Sequence, residues 1–91
     1  MILEDLYSVI TKRKKYPLKS SYVTSLFNKG EDRVLQKFGE EAVELLIAAK
    51  GQSKKRVVEE AADLFFMTLL VLNVNGVLLE EVFKELERRR K

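Results

Sequence analysis

Four carboxylates occur in two pairs whose spacing suits a single face of a helix. Glu41 and Glu44 are three residues apart, and so are Glu60 and Asp63. Side chains at this spacing are neighbours on a helical surface. Each pair is followed by apolar residues, which predicts that it lies close to a buried part of its helix. Two antiparallel helices presenting these pairs to each other would gather four carboxylates in one small region.

Such a group of carboxylates requires a positive charge nearby. Like charges at close range repel, and a buried carboxylate without a partner is strongly unfavourable. Oxygen ligands favour a hard divalent cation, and Mg²⁺ fits best because it accepts few protein ligands and keeps water or phosphate. Di-iron bundles use Glu-x-x-His, and this chain has no histidine. The spacing therefore predicts a Mg²⁺ site formed by Glu41, Glu44, Glu60 and Asp63.

The alternative is that these acids belong to solvated helical faces, since Glu is a strong helix former. A later segment offers a comparison, because its acids have near-helical spacing and are interleaved with Lys84 and Arg88. We interpret that segment as a solvated face; its acids are Glu80, Glu81, Glu85 and Glu87. Spacing alone does not separate the two interpretations, whereas the apolar surroundings of Asp63 favour the metal site.

The composition limits the available chemistry. A chain of 91 residues predicts one domain, residues 1–91, whose modest core makes oligomerisation a natural source of stability. The chain lacks cysteine and histidine, which excludes disulfides, thiolate ligands and the commonest general base. Catalysis is then left to carboxylate, Lys, Tyr, Ser or Thr side chains.

Charge and hydropathy predict a soluble cytoplasmic protein without a membrane segment. Residues 1–10 carry acids where a secretory signal would be basic and then apolar. The longest apolar run, residues 64–72, is about half of the ~20 residues that cross a membrane. The net charge is +3, and the basic runs 12–15 and 88–91 lie at predicted helix ends, where cations are favourable. This pattern supports nucleic-acid binding only weakly.

Apolar periodicity and stop signals predict an all-α bundle of four to five helices. No segment alternates with a period of two, and the proline and most glycines fall where helices would stop. The predicted helices span about residues 3–14, from a cap at Ser20 or Ser21 to 27, 32–50, from a cap at Ser53 to 74, and 79–90. Short connections predict that neighbouring helices pack antiparallel.

The fourth predicted helix is apolar on every face over its C-terminal two-thirds. Such a helix is buried on all sides, and the other helices of so short a chain scarcely surround it. The missing wall predicts a second subunit. We therefore expect a homodimer, or a tetramer built from dimers, with the third and fourth helices at the interface.

The acidic pairs also form a longer pattern. Glu40-Glu41-x-x-Glu44, followed after fifteen residues by Glu60-x-x-Asp63, resembles the EExxE…ExxD signature of the all-α nucleotide pyrophosphatases, the MazG-like superfamily. Within that group the chain resembles the phosphoribosyl-ATP pyrophosphohydrolase family. The matching segments are 21–26, 29–30, 37–44, 47–50 and 60–64, and the closing residues 77–88 are also similar.

The resemblance implies a Mg²⁺-dependent attack of water on the triphosphate of phosphoribosyl-ATP. The products are pyrophosphate and phosphoribosyl-AMP, in the second step of histidine biosynthesis. By resemblance, Glu41, Glu44, Glu60 and Asp63 hold the metal, and Glu40 is an additional ligand or the base that orients water. Members of the family often carry Tyr-His where this chain has Phe66-Met67, so two polar groups near the expected site are missing here.

Further residues are expected to contact the nucleotide. Ser21, Tyr22 and Thr24 match a Ser-Tyr-Thr segment of the family, which implies substrate contacts, although a helix cap plus a core tyrosine would explain the same residues. Lys29, in a predicted loop beside Gly30, is a candidate phosphate ligand. Lys37 could reach a phosphate or pair with Glu41 one turn along the helix.

Two other functions remain open at this point. A house-cleaning pyrophosphatase for non-standard or deoxy nucleoside triphosphates would use the same acidic site. A non-enzymatic dimeric helical module would instead bind nucleic acid or protein through its basic ends, in a salt-sensitive manner and without need of Mg²⁺. Many relatives are fused to the cyclohydrolase of the next step, which we expect here to be a separate protein.

Overall fold

The computed structural model describes residues 1–90, and these residues form helices without any strand. The five helices are α1 (Ile2–Lys15), α2 (Tyr22–Lys29), α3 (Glu31–Gly51), α4 (Lys54–Val74) and α5 (Leu79–Arg89). The prediction of an all-α fold is confirmed. The basic run predicted at the C-terminus ends at Lys91, which lies outside the described residues.

Side-chain caps begin two of the helices where the sequence predicts them. The Ser21 hydroxyl accepts a hydrogen bond from the backbone N–H of Thr24, and the Ser53 hydroxyl accepts one from Arg56, both at 3.2 Å. Each cap satisfies one N–H group that the first turn of a helix leaves unpaired. Helix α1 stops at Lys15, two residues before Pro17, because proline cannot continue the backbone pattern.

The end of α2 differs from the prediction. We expected the helix to stop at Phe27, and it continues to Lys29. The helix ends at this point because Gly30 adopts φ 92°, a backbone conformation that residues with a Cβ atom avoid. The residues before Gly30 remain compatible with the helix, so Lys29 is the last helical residue and does not lie in a loop.

A small apolar core receives side chains from all five helices. Its buried members include Ile10 of α1, Leu26 of α2, Val34 of α3, Leu70 of α4 and Leu79 of α5. Leu3, Leu6 and Tyr7 of α1 pack against the same core.

Helices α3 and α4 form the most extensive helix–helix contact in the fold. Only Gln52 and Ser53 separate them, so the two helices fold back on each other as an antiparallel hairpin. This hairpin is the element that places residues of α3 opposite residues of α4.

Helix α5 does not follow the expected antiparallel arrangement. The chain bends by 115° between α4 and α5, short of the reversal of a helical hairpin. Gly76 at φ 69° makes the turn, and the Tyr7 hydroxyl donates a hydrogen bond to the Val77 carbonyl at 2.5 Å. The connection is thereby tied to α1, and α5 leaves the hairpin at a steep angle.

Large apolar side chains remain exposed on both helices of the hairpin. Leu46 of α3 is 69% exposed and Phe65 of α4 is 60% exposed, and Val43, Ile47 and Val58 are exposed as well. The apolar circumference of α4 is therefore not covered by its own chain. Within residues 1–90, no individual helix has the length and apolarity of a membrane span, although α4 and α5 pass that test together as a bent pair.

Candidate active site

The α3–α4 hairpin brings three carboxylates together. Glu41 of α3 and Glu60 and Asp63 of α4 each present an oxygen, and these oxygens lie within 4.8 Å of one another. In the part of the chain that the structure describes, this is the one group of three or more potential metal-ligating side chains. Among the acids of α5, Glu80, Glu81 and Glu87 are exposed, and Glu85 pairs with Arg88 and Arg89.

The other two acids predicted for the site, Glu40 and Glu44, lie outside this group. Glu44 is exposed and does not share the 4.8 Å group, although its charge helps to raise the pKa of Arg56. Glu40 is exposed, and its carboxylate lies 3.7 Å from the guanidinium of Arg33. Glu40 also helps to raise the pKa of Lys37, which places its charge at the edge of the site.

Lys37 pairs with Glu41 one helical turn further along α3. The Lys37 Nζ lies 3.2 Å from the Glu41 Oε1, and the hydrogen bond between them is the main reason that the pKa of Lys37 is raised. The pairing that the sequence offered as one of two roles for Lys37 is therefore present. Lys37 also lines the cleft beside the carboxylates.

Arg56 repeats this arrangement on α4 and was missed by the sequence analysis. Its guanidinium lies 2.6 Å from the Glu60 carboxylate and 2.9 Å from that of Glu59, and Glu59 is the largest cause of its raised pKa, followed by Glu60. The Glu60 side chain is only 7% exposed. The spacing in the sequence could have predicted this ion pair, because Arg56 precedes Glu60 by four residues just as Lys37 precedes Glu41.

Asp63 differs from the two glutamates because it forms no ion pair within residues 1–90. Loss of solvent is the main cause of the raised pKa of Asp63, and the negative charge of Glu41 adds to it. Lys37 and Arg56 act in the opposite direction without cancelling the effect. The group as a whole therefore holds more negative charge than its two basic neighbours balance.

The donor set fits a magnesium ion. All three groups offer oxygen, the ligand that Mg²⁺ prefers, and two ligands on one Mg²⁺ lie at most about 4.2 Å apart. The observed separations of up to 4.8 Å between carboxylate oxygens need only small side-chain movements to reach that range. The net negative charge around Asp63 favours a cation at the same place.

A cleft of about 270 Å³ opens beside the carboxylates. Its lining combines charged and aromatic side chains, namely Tyr22, Lys37, Glu41, Asp63, Phe66 and Met67. Phe66 and Met67, which the sequence singled out only as replacements for a polar pair, thus face the candidate site directly.

Of the residues Ser21, Tyr22, Thr24 and Lys29, which are expected to contact the nucleotide, only Tyr22 lines the cleft. Tyr22 is 55% exposed rather than part of the core, and its ring stacks on Phe66 with centroids 6.4 Å apart. The Ser21 hydroxyl caps α2, and the buried Thr24 hydroxyl accepts a hydrogen bond from the Leu18 N–H at 3.1 Å. Lys29 is exposed at the end of α2 and is absent from the lining of the cleft.

An all-helical chain with clustered carboxylates beside a partly polar cleft has the features of the all-α phosphohydrolases. Comparison with known families makes the assignment specific. The family model for phosphoribosyl-ATP pyrophosphohydrolase matches residues 3–90. The chain belongs to this family, as the resemblance of its acidic motifs predicted.

Curated relatives match over nearly the whole chain. The phosphoribosyl-ATP pyrophosphatase of Methanocella arvoryzae is 48% identical, and the match covers 99% of this chain and 97% of the relative. The enzyme of the same name from Pelobacter propionicus is 53% identical, with coverage of 97% and 82%. The histidine biosynthesis bifunctional protein HisIE of Pyrococcus furiosus is 43% identical, and the match covers 99% of this chain and 42% of that protein.

Proposed function

We propose that this chain hydrolyses phosphoribosyl-ATP to phosphoribosyl-AMP and pyrophosphate, the second step of histidine biosynthesis. The observation that carries the proposal is the family match over residues 3–90, supported by relatives that bear the name of this activity. The three clustered carboxylates and the adjoining cleft supply a site of suitable chemistry. Such a step uses an ATP-derived substrate, so we place the protein in the cytoplasm.

In this proposal Glu41, Glu60 and Asp63 hold Mg²⁺, and Glu44 completes the ligand set. When bound, the ion neutralises charge on the triphosphate and lowers the pKa of a coordinated water. Carboxylates on rigid helices suit this role because packed helices fix the positions of their ligands. Glu40, at the edge of the group, serves as a further ligand or as the base that orients the attacking water.

Lys37 and Arg56 are proposed to contact the phosphates. Each is paired with a glutamate of the acidic group, so each cationic head already lies where the triphosphate must approach. A cation bound by the same carboxylates would relieve the two basic side chains of that pairing. Lys29, Ser21 and Thr24 are assigned to the outer part of the site, with the two hydroxyls supporting the position of Tyr22 through their local hydrogen bonds.

Pyrophosphate release from phosphoribosyl-ATP tests the activity directly. We expect release with Mg²⁺ and none with EDTA, and far slower release from ATP or dUTP at equal concentration. Glu60→Gln should lower kcat by about 100-fold or more, since it weakens a ligand and leaves the fold intact. The matched control is Glu85→Gln, because Glu85 is paired with Arg88 on α5 and should leave turnover unchanged.

The same panel separates the competing functions. Metal-dependent release from dUTP or ATP in preference to phosphoribosyl-ATP would assign the site to a house-cleaning pyrophosphatase. No release from any triphosphate, with wild-type and Glu60→Gln proteins behaving alike, would contradict an enzymatic role and favour a binding module.

A second copy of the chain is the partner we propose. The exposed apolar side chains of α3 and α4, with Leu46 and Val58 the most exposed among them, form a surface that a monomer would leave in water. Exposed apolar patches of this kind mark protein interfaces. We propose that two hairpins pack together as a homodimer, and that a tetramer, if formed, is built from such dimers.

A further inference from the structure

The cleft beside the carboxylates has a chemically mixed lining. Lys37, Glu41 and Asp63 are charged, whereas Tyr22, Phe66 and Met67 offer aromatic and apolar surface. The two rings come from different helices, Tyr22 from α2 and Phe66 from α4. Their planes are inclined by 29° and their centroids are 6.4 Å apart, so they form a stacked pair.

The position of this pair is unusual for core aromatics. Tyr22 remains more than half exposed although it stacks on Phe66, whereas Met67 beneath them is buried. The stacked pair therefore presents aromatic surface to an open cleft directly beside charged groups. Exposed apolar surface in such a position is typical of a binding site.

The size of the cleft limits what it accepts. Its volume of about 270 Å³ lies near the lower end of ligand pockets, which begin at about 300 Å³. The cleft accordingly accommodates one part of a nucleotide, such as a base with its nearest groups. The carboxylates suit the metal-bound phosphates, which leaves the stacked rings of Tyr22 and Phe66 for a flat and weakly polar group.

We propose that Tyr22 and Phe66 form the subsite for the purine base of the substrate, with Phe66 as a specificity-determining residue. This inference rests on the proposed function. Bases stack favourably on aromatic side chains because every base has a π-face, and Met67 adds a polarisable contact in the same cleft. A base held there would restrain the nucleotide and so hold the anhydride at the carboxylates.

The proposal distinguishes the aromatic ring of Phe66 from its apolar bulk. Stacking needs the ring and not the hydroxyl, so Phe66→Tyr should retain the subsite. Phe66→Leu keeps an apolar side chain in the hairpin but removes the π-face. The two variants therefore separate a stacking role from a packing role.

The test measures binding of two products by calorimetry in the presence of Mg²⁺. Phosphoribosyl-AMP carries the base, whereas inorganic pyrophosphate does not. We expect Phe66→Leu and Tyr22→Leu each to weaken phosphoribosyl-AMP binding by about tenfold, as loss of one stacking contact implies. Pyrophosphate binding should change by less than about twofold on the same scale, and Phe66→Tyr and Tyr22→Phe should bind both ligands as the wild type does.

Two results would overturn the subsite. One is equal weakening of both ligands by Phe66→Leu, which indicates general damage to the site. The other is phosphoribosyl-AMP binding that does not depend on the rings, either because Phe66→Leu leaves it unchanged or because folded wild-type protein shows none. Failure of the proposed function is read separately, from wild-type turnover of phosphoribosyl-ATP, so an inactive protein with ring-dependent phosphoribosyl-AMP binding would contradict the function alone.

Discussion

At the scale of single residues, the charge balance of the acidic group is the informative feature. Glu41 and Glu60 each have a basic partner one turn earlier on their own helix, at 3.2 Å and 2.6 Å. Asp63 has none among the described residues. The protein thus balances two of the three negative charges by itself and leaves the third for a cation.

Arg56→Gln is expected to destabilise the metal-free protein. Glu60 is almost fully buried, and loss of its partner leaves a carboxylate oxygen without compensation, at a cost of about 1–3 kcal/mol. Mg²⁺ should restore part of this loss, so the increase in Tm on adding Mg²⁺ should be larger for the variant than for the wild type. Thermal melts in EDTA and in Mg²⁺ measure both effects.

The control for this variant is Arg88→Gln. Arg88 pairs with Glu85 on the exposed surface of α5, where ion pairs contribute about 0–1 kcal/mol. An identical response to Mg²⁺ in wild type, Arg56→Gln and Arg88→Gln would show that Arg56 does not substitute for the cation.

Asp63→Asn is expected to raise the Tm of the metal-free protein only slightly at neutral pH, because Asp63 is still exposed, while it weakens metal binding. The pKa of Asp63 is raised on folding, chiefly by loss of solvent, so ionisation is less favourable in the folded than in the unfolded chain. Its contribution to stability is therefore lost as pH rises through the folded-state pKa. The variant should melt higher than wild type at pH 7 in EDTA, and the difference should shrink in acid.

Asp32→Asn makes the same chemical change and is expected to shift the Tm in the opposite direction. Asp32 lies in the first turn of α3, where a negative charge stabilises the helix, so its removal should lower the Tm slightly. A lower Tm for Asp63→Asn at neutral pH would show that its carboxylate stabilises the metal-free fold.

At the scale of the helices, substitution by alanine should change the stability of the protein in opposite directions at two glycines. Gly30 ends α2 at φ 92°, whereas Gly39 lies inside α3 with open space where a Cβ would be. Gly30→Ala should destabilise the protein by about 1–2 kcal/mol because the backbone conformation disfavours a Cβ. Gly39→Ala should stabilise it by about 0.5–1 kcal/mol because alanine loses less entropy in a helix. Denaturant unfolding measures both, and equal signs would contradict this account.

The helices also show what the sequence predicts well. Periodicity located all five, and Ser21 and Ser53 mark the starts of α2 and α4 because a cap is a local interaction. The end of α2 was set too early because Asn28 and Lys29 tolerate helix as well as turn. The direction of α5 was missed because it depends on the contact of Tyr7 with Val77, which are seventy residues apart.

The candidate site was partly visible in the sequence for the same reason. Residues three apart on one helix share a face, so the neighbouring positions of Glu60 and Asp63 followed from spacing. The pairing of Glu41 with α4 required only the short connection between the helices. Spacing does not specify side-chain packing. It therefore leaves open whether Glu44 joins the group, and it does not show that Tyr22 stacks on Phe66 instead of packing in the core.

At the scale of the whole molecule, the single chain is less compact than its length implies. Its radius of gyration is 14.3 Å, whereas a compact domain of this length has about 12 Å. The steep departure of α5 and the uncovered hairpin surface account for the excess. This shape supports the proposal that a second copy completes the fold.

Leu46→Glu is expected to disrupt the proposed dimer. Leu46 is largely exposed in one chain, so a charge there would be harmless in a monomer, but buried and unpaired at an interface. Sedimentation or light scattering should show a shift from dimer to monomer with a lower Tm. Tyr16→Glu, which replaces an exposed aromatic at the end of α1, should leave the assembly intact. A monomeric wild-type protein would contradict the proposal.

The compact sequence span of the α3–α4 hairpin has a kinetic consequence. All three clustered carboxylates come from residues 41–63, so the loop that must close to bring them together is short and costs little chain entropy. Contacts between segments this near in sequence form early in folding, before the distant tie between Tyr7 and Val77. We therefore expect the negatively charged group to form before the rest of the chain folds, with repulsion inside the group opposing that step. Divalent cations should accelerate refolding of this protein, and Asp63→Asn should remove most of their effect.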